Sequence, residues 1–356
     1  MQKKLIVLAI AALASTSAFA DTTVYGVLDG AVASVSGTGK TGGTLALSGG
    51  LAASRLGVKA TEALDNGVTA VAIAEYGVDG ETSTGLAGAA SRQELLGLAG
   101  SFGTVATGYL QTTGYDWGGK YNPFAGSAAS ALDNVTNKTV SPFYIGTQAG
   151  ANRAQRALAY ISPDFNGLNF AVNYSTALAG TGDVLNANTL VNTNITATLA
   201  SVNYTAGALS VGAVYAGLGG NSNASEVALG ASYDLTVAKL FATYQSEATS
   251  TVGGATSTTN TAYSVSAVVP AAADAVALSY AANSINSNSA NSATSYSVAY
   301  LHPMSKTTTA YAAYAGVTNG SGTGAYGVDN GLVTNAAGVN VGATSSVVAF
   351  GLNKKF

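Results

Sequence analysis

The chain ends Val348-Ala349-Phe350-Gly351-Leu352-Asn353-Lys354-Lys355-Phe356. Val348, Phe350 and Leu352 fall on one side of an extended backbone, and Ala349, Gly351 and Asn353 on the other. A period of two belongs to a β-strand with two unlike faces. The pattern returns at 55–60, where Leu56, Val58 and Ala60 oppose Arg55, Gly57 and Lys59. It returns again at 295–301, where Tyr296, Val298 and Tyr300 oppose Ser295, Ser297 and Ala299. Similar stretches run through the chain, and no helical heptad competes with them.

Two kinds of connection separate the strands. Short ones fall at 63–67, 100–103, 163–167, 206–207, near Thr236, 270–273 and 302–306. The first contains Asp65-Asn66-Gly67, a strong tight-turn signal. Longer ones, rich in Gly, Ser, Thr and Asn, fall at 36–49, 77–90, 111–151, 180–189, 219–225, 249–260, 283–291 and 316–342. Seven short and eight long connections join sixteen strands, to within two. Strict alternation puts every short turn at one end of an antiparallel sheet and every long loop at the other. Transmembrane β-barrels have that asymmetry, with short periplasmic turns and long external loops. Closure also satisfies each backbone N–H and C=O without water. A soluble β-sandwich shares the period, but its core needs larger residues than alanine, serine and glycine. Tyr25, Tyr76, Tyr109, Tyr160, Tyr174, Tyr204 and Tyr233 fall within or near strand ends, and Phe102 and Phe165 in short turns. Amphipathic rings favour membrane boundaries, and β-propensity favours the same residues.

Composition narrows the function. Only 9% of the 356 residues are charged, against about 25% in an average soluble domain. With no cysteine there is no disulfide scaffold or thiolate metal site. Glycine, at 44 residues, has no three-residue period, which excludes collagen. A formal charge of −3 without a basic block argues against nucleic acid. The one histidine, His302, precedes Pro303 in an expected turn, which speaks against Ser–His catalysis. Gly42-Gly43 and Gly253-Gly254 lack the lysine and helix of a phosphate loop. No calcium-loop motif is present, so the sequence calls for no cofactor and no metal.

Residues 1–20 read as a cleaved secretory leader. Lys3 and Lys4 precede an apolar stretch at 5–13, and Ala18-Phe19-Ala20 is a small-residue cleavage site. The expected organisation is a leader at 1–20 and one barrel domain at 21–356.

Several stretches resemble the general porins of Gram-negative bacteria, especially the β-proteobacterial type. They are Thr23-Val24-Tyr25-Gly26-Val27-Leu28-Asp29, Ser54-Arg55-Leu56-Gly57-Val58-Lys59-Ala60 and Gly100-Ser101-Phe102-Gly103-Thr104-Val105. Ser91-Arg92-Gln93, Asn166-Gly167-Leu168-Asn169-Phe170 and the end from Gly351 to Phe356 also fit. From 180 to 301 only the pattern persists. The resemblance implies an all-β, sixteen-stranded antiparallel transmembrane barrel whose third long loop, here 111–151, folds into the lumen. It implies an exported outer-membrane protein, a homotrimer with one aqueous pore per subunit. Small hydrophilic solutes and ions would cross by passive diffusion. The partners it implies are outer-membrane lipid, lipopolysaccharide and the barrel-assembly machinery. Phe356, closing an alternating strand, looks like the assembly signal.

The resemblance also sets basic wall residues opposite acidic loop residues. Arg55, Lys59, Arg92, Arg153 and Arg156 are the basic candidates. Parity puts Arg55 and Lys59 on one face, and a charge held in lipid at mid-depth costs about 2–4 kcal/mol, so they point to the lumen. Arg92 begins the strand that matches the family's wall arginine. Arg153 and Arg156 have opposite parity, so a regular strand turns only one inward. Arg153 is the choice, leaving Arg156 for the rim or a subunit contact. The acidic candidates are Asp116 and Asp133 in the loop, with Glu75, Glu94 and Asp29 on strands. Lys120 and Lys138 lie among the loop acids. Between 157 and 303 the only basic residue is Lys239, which leans the pore towards cations. Two rivals stay open: a solute-specific channel, and a non-conducting barrel serving as a structural or adhesion platform.

Overall fold

The computed structural model describes residues 21–38, 40–80, 91–136, 143–146, 152–178, 196–219, 222–251, 257–286, 288–323, 326–328 and 341–356. The expected leader lies outside them. The strands are β1 (Asp21–Gly37), β2 (Lys40–Ser48), β3 (Arg55–Ala63), β4 (Thr69–Gly77), β5 (Ser91–Gly100) and β6 (Gly103–Gln111). Two helices follow, α1 (Thr113–Tyr121) and α2 (Ala131–Thr136). Then come β7 (Arg153–Ile161), β8 (Leu168–Leu178), β9 (Thr196–Ala206), β10 (Leu209–Gly219), β11 (Ser222–Asp234) and β12 (Lys239–Thr251). The last five are β13 (Ser257–Ala271), β14 (Asp274–Ile285), β15 (Asn288–Pro303), β16 (Thr308–Asn319) and β17 (Thr344–Lys355).

All pairings are antiparallel, and all join sequence neighbours except β1 with β3 and β1 with β17, the latter from Val27↔Lys355 to Gly37↔Ser345. The sheet is therefore a closed barrel. Its seventeen segments occupy sixteen wall positions, because β2 and β3 share one. The upper part of β1 pairs with β2, as in Ala31↔Leu47, and the lower part with β3, as in Tyr25↔Gly57. Asp29 holds the interruption at 49–54. Its carboxylate accepts from Leu51 N at 3.3 Å, Ala52 N at 3.1 Å, Tyr311 Oη at 2.6 Å and Asn353 Nδ2 at 2.7 Å. Asp29 is thus a buried fastener and not a pore-lining acid.

The two faces of the wall differ as the alternation requires. Val24, Leu28 and Val32 are exposed on the outside of β1, while Ala31, Ala33 and Val35 are buried on the inside. Outer side chains are large and apolar or aromatic, among them Leu96, Leu158, Tyr174, Tyr215, Leu229 and Phe350. Inner ones are small or polar. Such a distribution suits lipid outside and a filled or watery interior.

The seven short turns fall where the sequence put them. At the first, Asn66 and Gly67 have φ of 60° and 72°, the left-handed pair that a tight hairpin needs. The opposite end differs from expectation. Four of the eight stretches read as long connections are mostly strand: β1 and β2 nearly meet at 37–40, β10 and β11 at 219–222, and β14 and β15 at 285–288, while β12 and β13 approach at 251–257. Hydroxyl and amide side chains on both faces erase the apolar alternation, yet the backbone ladder continues above the apolar belt. The stretch 180–189 lies outside the described residues.

Between β6 and β7 the chain turns into the barrel. α1 packs against β8 to β12 and α2 against β13 to β16. Thr112 caps α1 by accepting from Tyr115 N. The barrel supplies flat ground for the loop. A Cβ on Gly230 would lie 2.4 Å from the Tyr121 ring and 2.8 Å from Trp117 Nε1, so only glycine allows this approach. Tyr121 Oη also reaches Asn203 Oδ1 and Ser210 Oγ, both at 3.3 Å.

Candidate functional site

A charged cluster stands on the wall formed by β3, β4 and β5. Glu75 on β4 is its centre and is almost fully buried. Arg92 Nε donates to Glu75 Oε1 at 2.7 Å, Tyr25 Oη donates to Oε2 at 3.0 Å, and Arg55 Nε lies 3.8 Å from Oε2. Arg92 Nη2 continues to Tyr115 Oη on α1 at 3.1 Å. The guanidinium of Arg153 lies over the Tyr115 ring, 5.0 Å from its centroid, and its Nε donates to Arg92 O at 2.9 Å. Three arginines and one carboxylate therefore meet where the inward loop comes back to the wall. Lys59 is half-buried, four residues beyond Arg55 on β3, and has no ion pair among the described residues.

A break in the ladder makes this possible. Glu75 pairs with Gln93 but Tyr76 pairs with Ser91, so Arg92 is an extra residue on β5. A bulge re-aims a side chain that strict alternation would turn outwards. Glu94, on the parity of Leu96 and Leu98, is exposed and takes a hydrogen bond from Ser91 Oγ at 2.8 Å. It departs from the expectation of a lumen acid. Arg156 shares the outward parity of Leu158. It is exposed, with φ of 49°, where β7 carries an extra residue against β6 between Gly108↔Ala157 and Leu110↔Ala154.

The acids do not face the arginines as expected. Glu75 stands among them on the same wall. Asp133 is buried within the loop, where its Oδ2 accepts from Gly126 N at 2.8 Å. Asp116 follows Tyr115 on α1 and is only partly covered, yet protein atoms around it exclude bulk water and push its carboxyl up to about 7. Lys138 lies outside the described residues. Phe356 exchanges two backbone hydrogen bonds with Gly26, at 3.0 and 3.2 Å, fastening the end of the chain to β1.

Sequence reading missed a second polar group beneath the returning loop. Glu226 and Glu247 are register partners on β11 and β12, and both are fully buried. Glu226 Oε2 accepts from Tyr144 N at 2.5 Å and Ile145 N at 3.0 Å. Gln245 Nε2 donates to Ile145 O and to Glu226 Oε1, both at 2.8 Å. Asn260 Nδ2 donates to Glu247 Oε2 at 2.5 Å. Their available signal was parity: acids and amides on the inner face of strands with few other charges.

The whole arrangement is a closed sixteen-position wall with an inward loop and charges on its inner face. A sequence model of the Gram-negative porins matches residues 7–323. The chain belongs to that family. Its place is the bacterial outer membrane. The major outer membrane protein P.IB of Neisseria gonorrhoeae is 31% identical over 189 residues, covering 49% of this chain and 48% of that protein. The match thus spans about half the length of this curated relative. The anion-selective porin of Comamonas acidovorans has the same fold, with a TM-score of 0.75, 23% identity, and coverage of 95% of this chain and 100% of that one. OmpT of Vibrio cholerae in trimer form gives a TM-score of 0.66 at 16% identity, covering 95% of this chain and 99% of that one.

Proposed function

We propose that this porin is a water-filled channel for passive diffusion of small hydrophilic solutes, that it favours anions, and that it works as a homotrimer without catalysing a reaction. The observation that carries the anion preference is the cluster of Arg55, Arg92 and Arg153 around a single Glu75. With Lys59 beside it, the wall carries an excess of positive charge. The scarcity of basic residues between 157 and 303 leaned the sequence towards cations, but acids that would serve such a preference are engaged elsewhere: Glu226 and Glu247 lie under the loop, and Asp29 and Asp133 hold backbone. A field of one sign in a low-dielectric passage raises the local concentration of counter-ions. The Comamonas acidovorans neighbour is an anion-selective porin, and a Vibrio cholerae neighbour is a trimer. A sixteen-stranded barrel is wide enough to hold water beside its loop.

Tyr115 positions Arg92 and Arg153 in this reading, and Glu75, held by Tyr25, draws Arg55 and Arg92 together against their mutual repulsion. Phe356 serves assembly, and lipid and lipopolysaccharide surround the outer wall. Planar-bilayer recording tests the proposal. The expected record has current steps in groups of three and a reversal potential of anion-selective sign under a potassium chloride gradient. A purified, folded protein that carries no current rejects the channel. A cation-selective sign rejects the preference alone.

A further inference from the structure

The outer wall between β9 and β12 carries a groove of about 510 Å³. Ala213, Ala231 and Ala242 form its floor, and Leu229, Tyr204 and Tyr244 its sides. These six share the outward parity, and the last three are exposed. The depression follows from the sequence. Ala231 and Ala242 are register partners and Ala213 stands one strand away, so three minimal side chains adjoin where the surrounding wall has Leu, Val and Tyr. Gly212 and Gly230 also border it, and their inner sides carry Tyr121 and Trp117. Only the backbone separates the groove from α1.

Its height on the barrel decides what can occupy it. Val211 is two residues above the start of β10, and Tyr244 is five above the start of β12, both counted from the short-turn end. At about 3.3 Å per residue and a tilt of about 40°, the groove spans roughly 5–15 Å from that end. It therefore sits in the half of the hydrocarbon layer that adjoins the short turns. No charged side chain projects outwards among the described residues of β9 to β12. A phenol stands on either side, as at places where an apolar body meets a polar boundary.

We propose that this groove binds an acyl chain of a glycerophospholipid from the periplasmic leaflet. The proposal rests on the outer-membrane placement of the family, which sets this wall against lipid. Neutral, methylene-sized relief fits a hydrocarbon chain, whereas a protein partner would find no charge to pair with. The bound chain would press on the strand backbone that seats Trp117 and Tyr121, joining lipid and loop through a wall one backbone thick.

Native mass spectrometry of protein extracted in mild detergent and supplied with phosphatidylethanolamine tests it. One retained phospholipid per protomer is expected. Ala231→Leu with Ala242→Leu fills the floor and should lower retention about tenfold, since buried methylenes supply the binding. Ala248→Leu adds the same bulk outwards on β12 above the groove and should keep the lipid. The folded state of each variant is read from heat-modifiable migration in gels. Wild-type protein without retained lipid overturns the proposal, as does equal retention after filling. Retained lipopolysaccharide in place of phospholipid also overturns it, and so does a second copy of the chain covering the groove. A protein that conducts normally yet keeps no lipid rejects the groove and leaves the channel standing.

Discussion

The inner wall from β3 to β5 and the inner wall from β8 to β16 have the same strands and the same alternation, but opposite purposes. The first carries Arg55, Lys59, Glu75 and Arg92, long side chains that reach one another and the loop's Tyr115. The second is laid with Ala, Ser and Gly, such as Ala216, Ala228, Ser264, Ala281 and Ala315, all buried under α1, α2 or neighbouring segments. One half presents charge; the other half seats a loop. A porin wall need not be electrostatically uniform, because the loop spends part of it on packing.

The largest effect should come from the charged half. Replacing Arg55, Arg92 and Arg153 together by Gln leaves Glu75 as the remaining formal charge of the cluster. The anion-to-cation permeability ratio should fall roughly tenfold, the scale on which focused fields alter ion access. Reversal potentials under a salt gradient measure it. An unchanged ratio would mean that the two walls do not differ in function.

A smaller effect should come from the packed half. Gly230→Val brings carbon into the Tyr121 ring and Trp117, and strand backbone cannot retreat. α1 must lift from β11. Single-channel conductance should change by roughly twofold and become noisier, because the loop sets the open cross-section. Selectivity should change much less than with the arginine variant. If it changes as much, the division of labour between the walls is wrong.

The sequence made one half far more legible than the other. Alternation located the strands, Asp65-Asn66-Gly67 and its counterparts located the short turns, and parity set Arg55 and Lys59 on one face. Parity alone would have turned Arg92 outwards. It sits at a bulge, and a single extra residue reverses the face of a side chain without leaving a mark in residue type. The acids were misread for another reason. Asp29, Asp133 and Glu226 have the composition of a pore lining, yet their partners are backbone N–H groups brought there only by tertiary folding. Sequence position records neither. Strand ends above the apolar belt were hidden too, since Ser, Thr and Asn read as loop when both faces are wet.

The smallest effect lies where the two halves meet, at Asp116. Its neighbour Tyr115 touches the arginine cluster, while Trp117 lies on the packed wall. Its carboxyl is raised to about 7 by loss of water. In the unfolded chain it would ionise near 4. Between those values the folded protein holds the proton more often, so rising pH works against the folded loop across that window and the contribution is lost by about pH 7. The same ionisation adds a negative charge to α1, one residue from the Tyr115 that touches Arg92 and Arg153. Anion preference should therefore decline from pH 5 to pH 8, by less than about twofold, since one partly solvated charge is screened by salt. Asp116→Asn removes the titration, so its permeability ratio should stay flat over that range and match that of the wild type at low pH. A decline of equal size in the variant would move the titrating group off α1 and onto the wall.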